Sequence, residues 1–169
     1  EDDPTLVMRL YDGTIVPGNR GVTPAEVERR LGLFHRPYHA AIDATIERFL
    51  ASGRQPILVS IHSYTPRLQA GRPRPWHVSV LWHRDGRLAK PLLARLRAEP
   101  DLCVGENQPY PGQLEGDTLS RHGTRRGLPH VLIEIRHDLI DDEAGQAHWA
   151  ARLAPALTDA VAAMQEEEG

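Results

Sequence analysis

The sequence predicts an α/β fold, a mostly parallel or mixed sheet covered by helices as a single-layer sheet sandwich. Three observations predict it. Short apolar runs at 57–62 and 130–136 are separated by longer segments of helical period at 23–52, 88–98 and 142–165. Clusters of glycine and proline punctuate the joins between them. The 169 residues, 40% of them hydrophobic, suffice for one compact domain with its own core.

Taken in order, residues 1–22 are rich in turn formers, with Asp12-Gly13 and Pro17-Gly18-Asn19-Arg20-Gly21, and read as a folded-down loop. Thr23-Pro24-Ala25-Glu26 supplies an N-cap, a proline at the first helical position and an early acid, so a helix is expected to Ser52, kinked or split at Pro37 and closed by Gly53. Pro56 opens Ile57-Leu58-Val59-Ser60-Ile61-His62, a run of the kind buried in the middle of a sheet. A proline-rich loop leads to a second strand at 76–82, closed by Asp85-Gly86, and then to the helix at 88–98. A short strand at 102–106 ends at Asn107, and one or two helical turns are expected at 117–122. In His130-Val131-Leu132-Ile133-Glu134-Ile135-Arg136 the alternation places Val131, Ile133 and Ile135 on one face and Glu134 on the other. Ala150, Leu153, Leu157, Val161 and Met164 then recur at steps of three and four, marking an amphipathic helix packed on the sheet.

Composition excludes several classes of function. A formal net charge of −3 provides no global field for nucleic acid or anionic membrane. Arg67, Arg72, Arg74, Arg84 and Arg87, interleaved with Trp76 and Trp82, form a dispersed basic stretch without a nucleic-acid recognition motif. No apolar run of ~18 residues spans a membrane. The lone Cys103, in Leu102-Cys103-Val104, reads as a small hydrophobe in a reducing, cytoplasmic setting.

In open α/β sheets ligands bind beyond the carboxyl ends of the strands, which gives weight to His62, Asn107 and Glu134. His62 offers an imidazole nitrogen suited to zinc; otherwise it is a histidine bonded to a backbone carbonyl. Glu134, between two isoleucines, is either a carboxylate tuned upward in pKa for water activation or the partner of Arg136, two residues on. His122, Arg125 and Arg126 lie in the loop leading to Glu134, where an arginine can fork onto a carboxylate or simply be solvated. His35 and His39, four apart on a helix, could share a metal but have no nearby acid in sequence. His83, His137 and His148 read as surface residues. Ser63 beside His62 lacks a nucleophile elbow, so a serine hydrolase ranks last.

The string Val59-Ser60-Ile61-His62-Ser63-Tyr64-Thr65-Pro66, followed by Asn107-Gln108-Pro109-Tyr110 and by the segment from His122 to Arg136, resembles the N-formylglutamate amidohydrolase family. The match also takes in Asp12-Gly13, Pro17-Gly18-Asn19-Arg20-Gly21 and Pro37-Tyr38-His39, so it is ordered and covers nearly the whole chain. The resemblance implies a fold similar to zinc-dependent exopeptidases and the hydrolysis of an N-formyl or related N-acyl amide on an acidic amino acid, as in histidine degradation. It implies Zn2+ as cofactor, His62 as a zinc ligand, Glu134 as the catalytic acid and base, and Asn107, Tyr110 and Arg126 as substrate-binding residues. The partner is then a small acidic amide, with no nucleic acid and no membrane. The family's other zinc ligands, a histidine and an acid, lie before the position where this chain starts, so residues 1–169 are expected to be the C-terminal portion of a longer amidohydrolase domain. A non-catalytic module that binds small carboxylates is the alternative.

Overall fold

A computed structural model describes residues 1, 6–113 and 116–168. Contacts divide the chain into two compact units, one of Glu1–Arg54 with Leu68–Arg72 and the other of Gln55–Arg67 with Pro73–Gly169.

The first unit begins with a small hairpin, β1 (Leu10–Tyr11) paired antiparallel to β2 (Thr14–Ile15). Asp12 and Gly13 form its turn with φ of 47° and 74°, the two left-handed residues that a tight hairpin requires. The Asp12 carboxylate accepts from the Gln69 backbone N–H at 3.0 Å and so ties down the turn. A loop expected over 1–22 therefore contains a hairpin, carried by the Asp-Gly pair. Helix α1 (Pro24–Arg30) follows, capped by the Thr23 hydroxyl, which accepts from Glu26 N–H at 3.2 Å.

The expected break near Pro37 is present, and it falls just ahead of the proline. Leu31–His35 forms a π turn and α2 (Arg36–Ala51) continues from it, with the Arg36 N–H reaching back five residues to Leu31. Proline cannot donate to the carbonyl four residues earlier, and its ring crowds that carbonyl. The wider turn gives the backbone room.

The second unit holds the sheet. Its elements are β3 (Leu58–Tyr64), β4 (Val78–Leu81), α3 (Ala89–Arg97), β5 (Val104–Glu106), α4 (Thr118–His122), β6 (His130–Arg136) and α5 (Glu143–Glu168). The strand order is β3-β6-β4-β5, with β3 parallel to β6, β6 antiparallel to β4, and β4 parallel to β5. This is the mixed sheet that the sequence predicts.

One face of the sheet builds the core. Val78 and Val80 of β4 lie opposite Ile135 and Ile133 of β6, and these residues pack with Val131 against Leu88, Leu92 and Leu96 around α3 and Trp149, Leu153, Ala156, Ala160 and Met164 of α5. Leu157 and Val161 pack at the margin of this cluster, while Ala150 is exposed and its neighbour Trp149 is buried instead. The bulky ring takes the core position, which turns the buried stripe by one residue from the expected one. No helix among the described residues is long and apolar enough to cross a membrane.

β3 corrects an expectation. Its apolar composition suggests the middle of a sheet, yet it pairs with β6 alone and lies at the edge of the four strands. Val59 is 39% exposed and Ile61 57%. Side-chain composition reports how apolar the surroundings of a strand are, and is silent on whether both of its edges find a neighbour. Ile133→Ala, at a fully buried position, should therefore lower unfolding free energy by ~2–5 kcal/mol in denaturant titration. Ile61→Ala should stay within ~0.5 kcal/mol, and an equal loss at both positions would contradict the edge placement.

Candidate active site

The site lies on the opposite face of the same sheet. In β6, Leu132 and Glu134 alternate away from the core, and in β4 their partners are Leu81 and Ser79. Leu81 and Leu132 pack with Leu119 of α4, and Leu58 and Tyr110 lie partly buried against them. α4 forms because the Asp117 carboxylate accepts from Ser120 N–H at 2.6 Å and caps its first turn. The apolar floor thus comes from leucines, and the polar residues stand beyond it toward the strand ends.

Register places the two residues that matter most side by side. His62 of β3 is paired with Glu134 of β6, and in neighbouring parallel strands paired residues present their side chains on the same face. His62 Nδ1 stands 3.8 Å from Glu134 Oε1, beyond hydrogen-bond length and within ion-pair range. The imidazole is 55% exposed, whereas the carboxylate is only 6% exposed. Glu134 Oε2 is buried and has no hydrogen-bond partner among the described residues.

A carboxylate so placed loses hydration without gaining a compensating donor, which disfavours its charged form. Burial pushes the Glu134 carboxyl up to about 7, opposed by the positive charge of Arg74. Arg136 does not neutralise it. That guanidinium is held by Asp138, with Nε to Oδ1 at 2.8 Å, and leans on the carbonyls of Arg74, Pro75 and Trp76. Of the two readings open for Glu134, the ion pair with Arg136 is absent.

Tyr64, two residues beyond His62 on the same strand face, is buried and donates its hydroxyl to the Trp76 carbonyl. Burial pushes its phenol up to about 12, so it stays a neutral donor. Ser79, paired with Glu134 from the β4 side, is fully buried. Gly105 makes room beside it, since an added Cβ would stand 2.7 Å from Ser79 Oγ.

The other expected residues separate. Asn107, at φ 51°, accepts through its side-chain oxygen from the Trp82 N–H at 2.9 Å, so this atom serves the end of β4. Tyr110 is half-buried, with its hydroxyl 3.5 Å from Arg74 Nη1. Arg126 is half-buried at the end of a 3₁₀ turn, Thr124–Arg126. Among the described residues, Arg74 and not Arg126 is the cation whose field acts on Glu134. Arg125 lines a pocket of about 180 Å³ with Asp117, Thr124 and His130, and Leu81, Leu119 and Leu132 of the apolar floor also face it. His122, in α4, is fully buried, and His83, His137 and His148 are exposed as expected.

In the first unit, His35 and His39 bring their Nε2 atoms to 3.1 Å from each other. No group of three or more metal-ligating side chains exists among the described residues, there or around His62. His62 and Glu134 thus fit one corner of a metal site, with an imidazole on the solvent side and a desolvated carboxylate beneath it.

Arg74 was passed over in the sequence because it sits in a stretch of scattered arginines. Its flanking Pro73 and Pro75, which stiffen the backbone just ahead of β4, were the available signal.

A mixed α/β unit with a histidine and a proton-holding carboxylate in register at the carboxyl ends of adjacent parallel strands has the form of a hydrolytic site. Comparison with known proteins agrees in class. The chain belongs to the N-formylglutamate amidohydrolase family, whose model matches residues 1–141. The crystal structure of gene product Atu2144 from Agrobacterium tumefaciens is similar at 32% identity and a TM-score of 0.88, covering 97% of this chain and 65% of that one. N-formylglutamate amidohydrolase from Ralstonia eutropha JMP134 shares the fold at 23% identity and a TM-score of 0.55, over 85% of this chain and 54% of its own. This chain therefore spans less than two thirds of either relative. No curated protein matches the sequence.

The buried carboxyl has a consequence for stability. In the unfolded chain it titrates near 4.5, and in the folded protein near 7. Between these values the native state keeps a proton that the unfolded state has released, so stability falls as pH rises through the window, by ~2–3 kcal/mol in total. Urea unfolding of the metal-free protein from pH 4 to 8 should show this decline. Glu134→Gln should lack that share of it, and identical pH profiles for the two would refute the buried, unpaired carboxyl.

Proposed function

We propose that this chain supplies the catalytic carboxylate and one zinc ligand of an amidohydrolase that cleaves an N-formyl or related N-acyl amide from an acidic amino acid such as glutamate, giving formate, in the N-formyl case, and the free amino acid. The observation that carries the reading is Glu134, nearly buried, unpaired at Oε2, held at about 7 and in register with His62. Membership of the family supports it.

His62, half exposed at the strand end, would hold zinc through a neutral imidazole nitrogen, with the remaining ligands supplied by chain outside these 169 residues. When bound, zinc supplies Lewis acidity, polarising the amide carbonyl and easing ionisation of a water. Glu134, in register beside His62 and shielded from solvent, would accept a proton from the attacking water as its oxygen bonds to the amide carbon. The same carboxyl then returns the proton to the departing amine nitrogen.

In the complete protein, Glu134→Gln should retain zinc and lose ~10²–10⁴-fold in turnover of N-formylglutamate. Full activity would eliminate the acid–base role. His62→Ala should lower the zinc content measured by elemental analysis, and unchanged stoichiometry would remove His62 from the metal. A carboxylate-binding module without catalysis is the second reading, favoured by the lack of a three-ligand cluster among the described residues. Zinc-free protein that binds acidic ligands and never releases formate would establish it.

A further inference from the structure

We infer that Arg74 is the residue that anchors the substrate through a carboxylate, an inference that rests on the acidic-amide reading of the site. The guanidinium lies within cation–π range of two aromatic rings, with its central carbon 5.7 Å from the Tyr64 ring centroid and 5.4 Å from that of Tyr110. Tyr64 is the buried neighbour of His62 on β3, and Tyr110 packs on the leucine floor beneath Glu134. Arg74 therefore sits where the site's aromatic and apolar walls meet, close enough for its charge to act on Glu134.

Its backbone is equally fixed. Pro73 and Pro75 flank it, its N–H donates to the Pro66 carbonyl at 2.8 Å, and its own carbonyl accepts from Arg136 at 3.3 Å. Ordered arginines elsewhere in this unit spend their charge on a carboxylate, as Arg87, Arg95, Arg136 and Arg152 do at 3.0 Å or less. Arg74 has no such partner among the described residues. Among the described residues its side-chain hydrogen bonds leave from Nη1, to the Thr65 carbonyl at 3.0 Å and toward the Tyr110 hydroxyl at 3.5 Å.

That leaves the Nε–H and Nη2–H edge of the planar fork, two parallel donors matched to the two oxygens of one carboxylate. A cation ordered by rings and carbonyls, with its paired donors unspent, is preorganised for an anion that arrives with the ligand. The chemical class that fits an open guanidinium fork beside His62 and Glu134 is an amide carrying a carboxylate at a fixed distance from the scissile bond. Arg74 thereby becomes the specificity-determining residue for acidic over neutral amides.

The test is calorimetric titration of the complete protein with glutarate and with glutaramide, its uncharged analogue of the same length, alongside N-formylglutamate kinetics. The parent should prefer glutarate. Arg74→Gln should weaken glutarate binding by about tenfold or more and raise KM, leaving glutaramide binding unchanged. Arg74→Lys, which keeps the charge and loses the fork, should fall between the two, and it decides the matter if the glutamine variant fails to fold. Unchanged glutarate affinity in the variants, or a parent that binds both ligands alike, would overturn the assignment. Failure to hydrolyse N-formylglutamate with glutarate binding intact would sink the proposed activity and leave Arg74 in place. Hydrolysis with an unaltered KM in the Arg74 variants would do the reverse.

Discussion

A carboxylate held in the middle of a sheet without a neutralising partner is the constraint around which the second unit is arranged. Glu134 lies between His62 and Ser79 on the neighbouring strands, with one oxygen buried and unpartnered. Leaving such a group desolvated costs free energy that packing elsewhere must offset. The offset comes from its own strand, since Val131, Ile133 and Ile135 on the other face of β6 lie at the centre of the core built by α3 and α5. The same seven residues therefore carry both the strongest apolar packing and the least comfortable polar group.

The division between the faces explains how the site stays selective in charge. Arg136, two residues beyond Glu134 on β6, is drawn off by Asp138. Among the described residues Arg74 is the cation that acts on Glu134, and it is held by two tyrosine rings and a backbone carbonyl. In the proposed reaction Arg74 would hold the anion and Glu134 would move the proton, so the two functions fall to separate residues.

Much of this was legible in the sequence because strand alternation has a period of two. The pattern from His130 to Arg136 alone assigns Glu134 to the face opposite Val131, Ile133 and Ile135, and the structure agrees. His62 was legible as the polar end of an apolar run. What stayed hidden depends on contacts between distant segments. The pairing of β3 with β6 brings His62 beside Glu134 across a separation of 72 residues, and no local pattern encodes it. The edge position of β3 was obscured by its β-branched composition. Asn107 was legible as the residue that ends a strand, whereas the bond from the Trp82 N–H to its oxygen joins segments distant in sequence. Arg74 was masked by its neighbours in a basic stretch, since charge counts do not reveal which arginine is left unpaired.

The account turns on the protonation of one side chain. The most direct measurement is the titration of the Glu134 carboxyl by carbon NMR in zinc-free protein, assigned by its disappearance in a glutamine variant. A midpoint at about 7 is the result expected for a carboxyl desolvated on β6 and only partly relieved by Arg74. A midpoint at the ordinary value near 4.5 would mean that the carboxylate is hydrated or paired, and the proposed proton transfer would lose its physical basis.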